Sequence, residues 1–289
     1  MTVAAQETQD ATRDEASVEV HVIEARPGWR LFDFKEMWAY RDLLRFLTFR
    51  ELKVRYAQSV LGVGWAVIQP VVTMVVFTLV FGRLAKVKSD GAPYAVFSYA
   101  AVVPWTYFST ALTDSSNSLI KGASMLGKIY FPRAIMPLTP VLARLIDFAI
   151  AMVIVAGLLA WYRIVPTAGL AVLPLLVAVM ALTAAGLGMF LAALAVQYRD
   201  IQYGMSFGVQ ALMFASPVVY PASLVPEQFR LAYAINPMVG VIEGFRSAFL
   251  GTNPMPWGMI GVGAAASCVI VFAGAMYFRR TERLFADVA

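Results

Sequence analysis

The residues that carry most enzyme chemistry are nearly missing from this chain: it holds one cysteine, Cys268, and one histidine, His21. A single thiol cannot close an internal disulfide or form a CxxC pair, and one histidine cannot write an HExxH zinc motif. Cys268 sits inside an apolar run and is expected to be a small buried hydrophobe; His21 sits in a polar stretch and is expected to be solvated. Charge is scarce too, at 14% of 289 residues. Asp114 and Asp200 are scattered, so no acidic metal-binding cluster of the kind a membrane glycosyltransferase needs is formed. Gly122-Ala-Ser-Met-Leu-Gly127-Lys128 imitates a phosphate loop, but Ile129 stands where a Ser or Thr would hold magnesium, and no buried strand precedes it. The chain is therefore expected to bind no cofactor and to supply no ATPase of its own.

What remains is apolar. Hydrophobic residues make up 60% of the chain and the mean hydropathy is +0.70, the signature of a multi-span membrane protein. The apolar runs are continuous, not alternating, which favours helices over a transmembrane barrel. The basic balance, pI about 9.3, is explained by cations at membrane edges and does not require nucleic acid.

The run over residues 60–82 carries no charge and is long enough to cross a hydrocarbon core of about 30 Å. Five further segments follow, at 94–113, 134–162, 170–196, 201–220 and 257–278. Residues 1–28 are polar and acidic and read as a disordered cytoplasmic tail. Residues 29–59 read as amphipathic helix lying in the interface, with a break near Thr48, where Thr48-Phe-Arg-Glu51 matches a capping box. The fold class is thus an all-α membrane protein, with six transmembrane helices preceded by interfacial helices. Lysines and arginines crowd the pre-helix (Arg41, Arg45, Arg50, Lys53, Arg55), the loop after the second span (Lys121, Lys128, Arg133) and the tail at 279–289 (Arg279, Arg280, Arg283). They outnumber Arg83, Lys86 and Lys88 on the other side and place both termini in the cytoplasm.

Three groups stand out. Arg144 and Asp147 are charges inside a span, spaced to pair on one helix face; alone, each would cost roughly 2.5–3.5 kcal/mol at the bilayer centre. The linker 221–256 is apolar but broken by prolines. Pro226 and Pro237 open two short helices, the second capped by Asn236, ended by Gly251 and carrying a Glu243–Arg246 pair. Two such half-helices are expected to re-enter the outer leaflet as a lid, with Pro217 and Pro221 at its root. Aromatics gather near span ends, among them Trp65, Trp105, Tyr107, Phe108 and Tyr220. They fit an interfacial belt, or a pore lining in which flat rings slide along sugar faces.

Taken together, Arg55-Tyr56-x-x-Ser59-x-Leu61-Gly62-x-x-Trp65, Tyr130-Phe131-Pro132-Arg133, Arg199-Asp200-Ile201, Ser216-Pro217-Val218-Val219-Tyr220-Pro221, Asn236-Pro237, Phe245-Arg246 and Phe278-Arg279-Arg280-Thr281-Glu282 with Phe285-Ala286-Asp287 resemble the permeases of ABC-2 polysaccharide exporters. Those subunits export O-antigen, capsule or teichoic acid. The resemblance runs from Trp29 to Val288. It implies a homodimer in the bacterial cytoplasmic (inner) membrane, bound to two separate ATPase subunits that hold ATP and Mg. It implies a coupling loop over 115–133, with Ser118, Lys121, Lys128, Tyr130, Phe131, Pro132 and Arg133 facing the ATPase and Arg199 and Asp200 nearby. It also implies a polyprenyl-pyrophosphate-linked glycan as cargo. Arg45, Arg50, Lys53 and Arg55 form a cationic shelf able to meet the diphosphate. An ABC-2 permease for a drug or simple lipid, and a scaffold without a pore, are the competing readings.

Overall fold

The computed structural model describes residues 34–57, 62–128 and 130–282. The acidic tail, Trp29, the Ser59 and Leu61 motif positions, Ile129, Arg283 and the Phe285–Asp287 motif lie outside the described residues. Every regular element among those described is helical.

Among the described residues, two helices precede the first apolar run: α1, Phe34–Ala39, and α2, Arg41–Tyr56. The break falls at Tyr40, not near Thr48, and the proposed capping box does not form. Thr48 lies mid-helix and its hydroxyl donates back to the Leu44 carbonyl, 2.8 Å away. That i−4 bond satisfies the side chain without interrupting the helix. Leu47 beside it is buried against Phe131 and Ile135, which holds this turn helical.

The first apolar run forms a 3₁₀ turn, Gly62–Gly64, then α3, Trp65–Phe77, which unwinds into a π-helical turn at Thr78–Leu84. The second becomes α4, Tyr94–Ser116. The loop after it holds two single turns, α5 (Ser118–Lys121) and α6 (Ala123–Leu126). Next come α7, Ile135–Trp161, and α8, Leu173–Gln197. The fifth segment is shorter than its apolar run: α9 covers Asp200–Phe214 only. Its 15 residues reach about 22 Å, and the prolines from Pro217 onward turn the chain aside. The two expected short helices are present, as α10, Glu227–Tyr233, and α11, Pro237–Leu250. The chain closes with α12, Trp257–Thr281.

Among the described residues, four stretches are long and apolar enough to cross a membrane: Trp65–Leu84, Ile135–Trp161, Ala168–Gln197 and Trp257–Thr281. Helix α4 is as long but less apolar, because it is the central post of the bundle. It packs on α3, α7, α8 and α11, and Phe97, Tyr99, Val102 and Phe108 are almost fully buried. Helix α8 packs on α4, α7, α11 and α12. Gly186 of α8 lies against Gly274 of α12 with no room for a Cβ on either, the close backbone approach that small residues permit between membrane helices. Cys268 is not in the core. It faces outward from α12 beside exposed Val269, since an apolar run fits lipid as well as protein.

Candidate functional site

At one end of the bundle, charges from four elements meet. Asp114 in the last turn of α4 accepts Arg144 Nη2 at 2.6 Å and lies 3.5 Å from Arg55. Asp147 on α7 accepts Arg55 Nη1 at 2.9 Å and Arg144 Nη1 at 3.1 Å. Its other oxygen takes the Tyr56 hydroxyl. Glu51 lies 3.4 Å from Arg55, and Lys121 of α5 lies 3.5 Å from Asp114. The expected Arg144–Asp147 pair is present, but each partner makes a shorter ion pair with another element. Burial, and then the bond to Asp147, push the Tyr56 phenol up to about 12. A cavity of about 240 Å³ opens beside the network, walled by Trp65, Gln69, Thr106, Tyr107 and Thr110 and, from the network, by Arg55, Tyr56, Arg144 and Asp147.

Of the expected cationic shelf, Arg55 is turned into this network. Arg45 lies 3.4 Å from Asp42 with both side chains exposed. Arg50 and Lys53 are exposed and have no ion-pair partner among the described residues.

The 117–133 loop is docked on the same end. Phe131 is buried with Leu47 and Ile135, so the aromatic of Tyr130-Phe131-Pro132-Arg133 pins α2 to the start of α7. Tyr130 donates to Glu36 of α1 at 3.2 Å, and Arg133 donates to the Glu282 carbonyl at the end of α12. Burial, with Glu36 adding to it, raises the Tyr130 phenol. Burial also raises the Glu282 carboxyl, against the pull of Arg133 and Arg279. Pro132 is half-buried, and Ser118 is buried while Lys121 and Lys128 project outward, as do Arg199 and Asp200 at the turn into α9.

The opposite end is held by a second ion pair. Arg246 of α11 lies 2.8 Å from Glu243 and donates to the Val218 and Tyr220 carbonyls. It also stacks 3.6 Å from the Phe97 ring centroid. Glu243 accepts the Ala222 amide at 3.1 Å. Together they fix the Ser216–Ala222 backbone, with Pro217 and Pro221 buried in it. Asn236 caps α11 by accepting from the Met238 amide, Pro237 takes the first helical position, and Gly251 stops the helix at φ 64°.

Three of the proposed channel aromatics are core residues. Trp105, Tyr107 and Phe108 are at most 5% exposed, and Tyr107 donates to the Val141 carbonyl. Tyr220 is bonded to Tyr233 and to the Phe214 carbonyl. Trp65 is open to the outside, at 52% exposure. Sequence reasoning passed over α9, where Tyr203, Phe207 and Phe214 are all exposed, on one side of the helix by their spacing. Gly204 and Gly208 beside them have open space where a Cβ would stand. The signal was legible: aromatics at i, i+4 and i+11 in a segment that also carries Gln202 and Gln210.

Among the described residues, an all-helical bundle with four stretches fit to cross a bilayer and ion pairs at both ends defines a polytopic membrane protein. The pattern of the ABC-2 type transporter family matches residues 42–250, and the chain belongs to that family. It is a transport subunit, not an enzyme. It is similar to the O-antigen export system permease protein RfbA of Myxococcus xanthus, 29% identical over 88% of this chain and 97% of the relative. A Klebsiella pneumoniae protein of the same name is 25% identical over 86% of this chain and 95% of its own length. The polysialic acid transport protein KpsM of Escherichia coli is 22% identical over 82% and 92%.

Proposed function

We propose that this chain is the permease of an ATP-driven polysaccharide exporter in a bacterial cytoplasmic membrane. The observation that carries the reading is the similarity, over 82–88% of this chain, to proteins of two polysaccharide systems, O-antigen export and polysialic acid transport. In this reading two copies enclose the path, and two separate ABC ATPases bind the cytoplasmic end and hold ATP and Mg. The cargo is a glycan on polyprenyl pyrophosphate. Six helices, α3, α4, α7, α8, α9 and α12, cross the bilayer, with α10 and α11 forming a re-entrant lid on the far side.

Three features support it. The end that gathers α2, the 117–133 loop and Glu282 carries most of the lysines and arginines, which favours the cytoplasm. Arg50 and Lys53 stay available for a diphosphate, while Arg55 is committed internally. The exposed aromatic face of α9 suits a sliding sugar chain, because rings stack on sugar faces without a fixed register.

Deleting the chain is expected to trap lipid-linked polysaccharide inside the cell, and restoring it to release that pool. Tyr203→Ala with Phe207→Ala should slow glycan export while leaving ATPase binding intact. Lys128→Glu should instead weaken co-purification of the ATPase. Normal surface glycan in the deletion strain would refute the polysaccharide assignment and leave a drug or lipid cargo.

A further inference from the structure

Among the described residues, the network around Asp114 and Asp147 is neutral. Three cations, Arg55, Arg144 and Lys121, face three anions, Glu51, Asp114 and Asp147. An incoming anion would find no spare positive charge and would have to displace an internal carboxylate. The pairing is therefore a joint and not a vacant anion site. Its connectivity is directional. One Asp114 oxygen takes Lys121 of α5 while the other takes Arg144 and Arg55. One Asp147 oxygen takes Arg55 and Arg144 while the other takes Tyr56. The two carboxylates are thus the shared nodes between the cytoplasmic loop and helix α2.

We propose that Asp114 and Asp147 are positioning residues of the export cycle, passing movement of the α5 turn to interfacial helix α2. This rests on the assignment of the 117–133 loop to the ATPase contact. Drawing Lys121 away leaves Asp114 under-compensated in a poorly hydrated setting, where charge interactions are strong. Asp114 then draws harder on Arg55 and Arg144, and Asp147, which shares both cations, must re-pair. A few discrete pairings of one neutral set make a switchable joint.

The test uses the full permease–ATPase complex in proteoliposomes, with Cys268→Ser and a nitroxide at Val54→Cys, an exposed site on α2. In this background ATP binding should change the label spectrum. Asp114→Asn and Asp147→Asn keep the side-chain volume and remove the charge. They should hydrolyse ATP, export about tenfold less glycan per ATP and lose the label response. Lys121→Gln, at a largely exposed side chain with little part in folding, should blunt the response at Val54, and Lys121→Arg should restore it. Arg55→Gln with Asp147→Asn should lose less than the sum of the two single changes, because the two residues share one contact within the network. Should the asparagine variants fail to assemble, Lys121→Gln decides alone. An unchanged label response in Lys121→Gln, or strictly additive losses in the double variant, overturns the proposal. A parental complex that assembles without an ATPase, or moves no glycan, refutes the export reading instead.

Discussion

Arg246 is 4% exposed, and its guanidinium serves Glu243, the Phe97, Val218 and Tyr220 carbonyls and the Phe97 face at once. Arg246→Ala strands Glu243 and three backbone groups, and is expected to cost about 3–5 kcal/mol, seen as a fall in the thermal midpoint in detergent. Arg246→Lys should recover only part, since a point ammonium cannot fork between carbonyls and also stack. Tyr56 yields a pH prediction. Its pKa is raised from 10.0 to about 12 in the folded protein, so the folded state holds the phenolic proton more tightly than the unfolded chain. Its contribution is complete below pH 10 and is lost as pH rises towards 12. Thermal midpoints measured across that window should fall less steeply in Tyr56→Phe.

Between elements, the α8–α12 contact is the most sterically demanding. A Cβ on Gly274 would lie 2.1 Å from the Gly186 carbonyl oxygen, and one on Gly186 would lie 2.7 Å from Val271 Cα. These are backbone atoms in helices, and neither can step aside unless the helices part. Gly274→Ala is expected to destabilise by about 1–3 kcal/mol or more, read as lost folded yield and a lower thermal midpoint. Gly261→Ala on the same helix, with nothing within 4 Å of its new methyl, should be neutral or stabilise by up to about 1 kcal/mol. Equal effects at the two positions would mean that helix propensity, not packing, sets the outcome.

For the whole molecule, two sets of loops gather at opposite ends. Tyr130 reaches Glu36 and Arg133 reaches Glu282 at one end. At the other, Asp90 accepts from both Ser223 and Asn253. With Cys268→Ser as background, an impermeant thiol reagent added to intact cells should label Ser223→Cys, and Lys128→Cys only after permeabilisation. Labelling of both from the same side would refute the proposed six-span alternation and the proposed docking of the 117–133 loop on an ATPase.

What the sequence determined by itself is what local chemistry can determine. The apolar runs required helices, because a bilayer satisfies no backbone group. Asn236, Pro237 and Gly251 bounded α11 because caps act within a few residues. The i,i+3 spacings foretold that Arg144 would meet Asp147 and Arg246 would meet Glu243. Thr48 marks the limit even locally: its capping chemistry lost to an i−4 bond in a turn held by buried Leu47. Only the tertiary structure decided which faces meet. Arg55 and Asp147 are 92 residues apart, and no periodicity records that α2 lies across α7. The same uniform apolarity hid that Trp105, Tyr107 and Phe108 turn inward while Tyr203, Phe207 and Cys268 turn outward, because lipid and protein core select the same side chains.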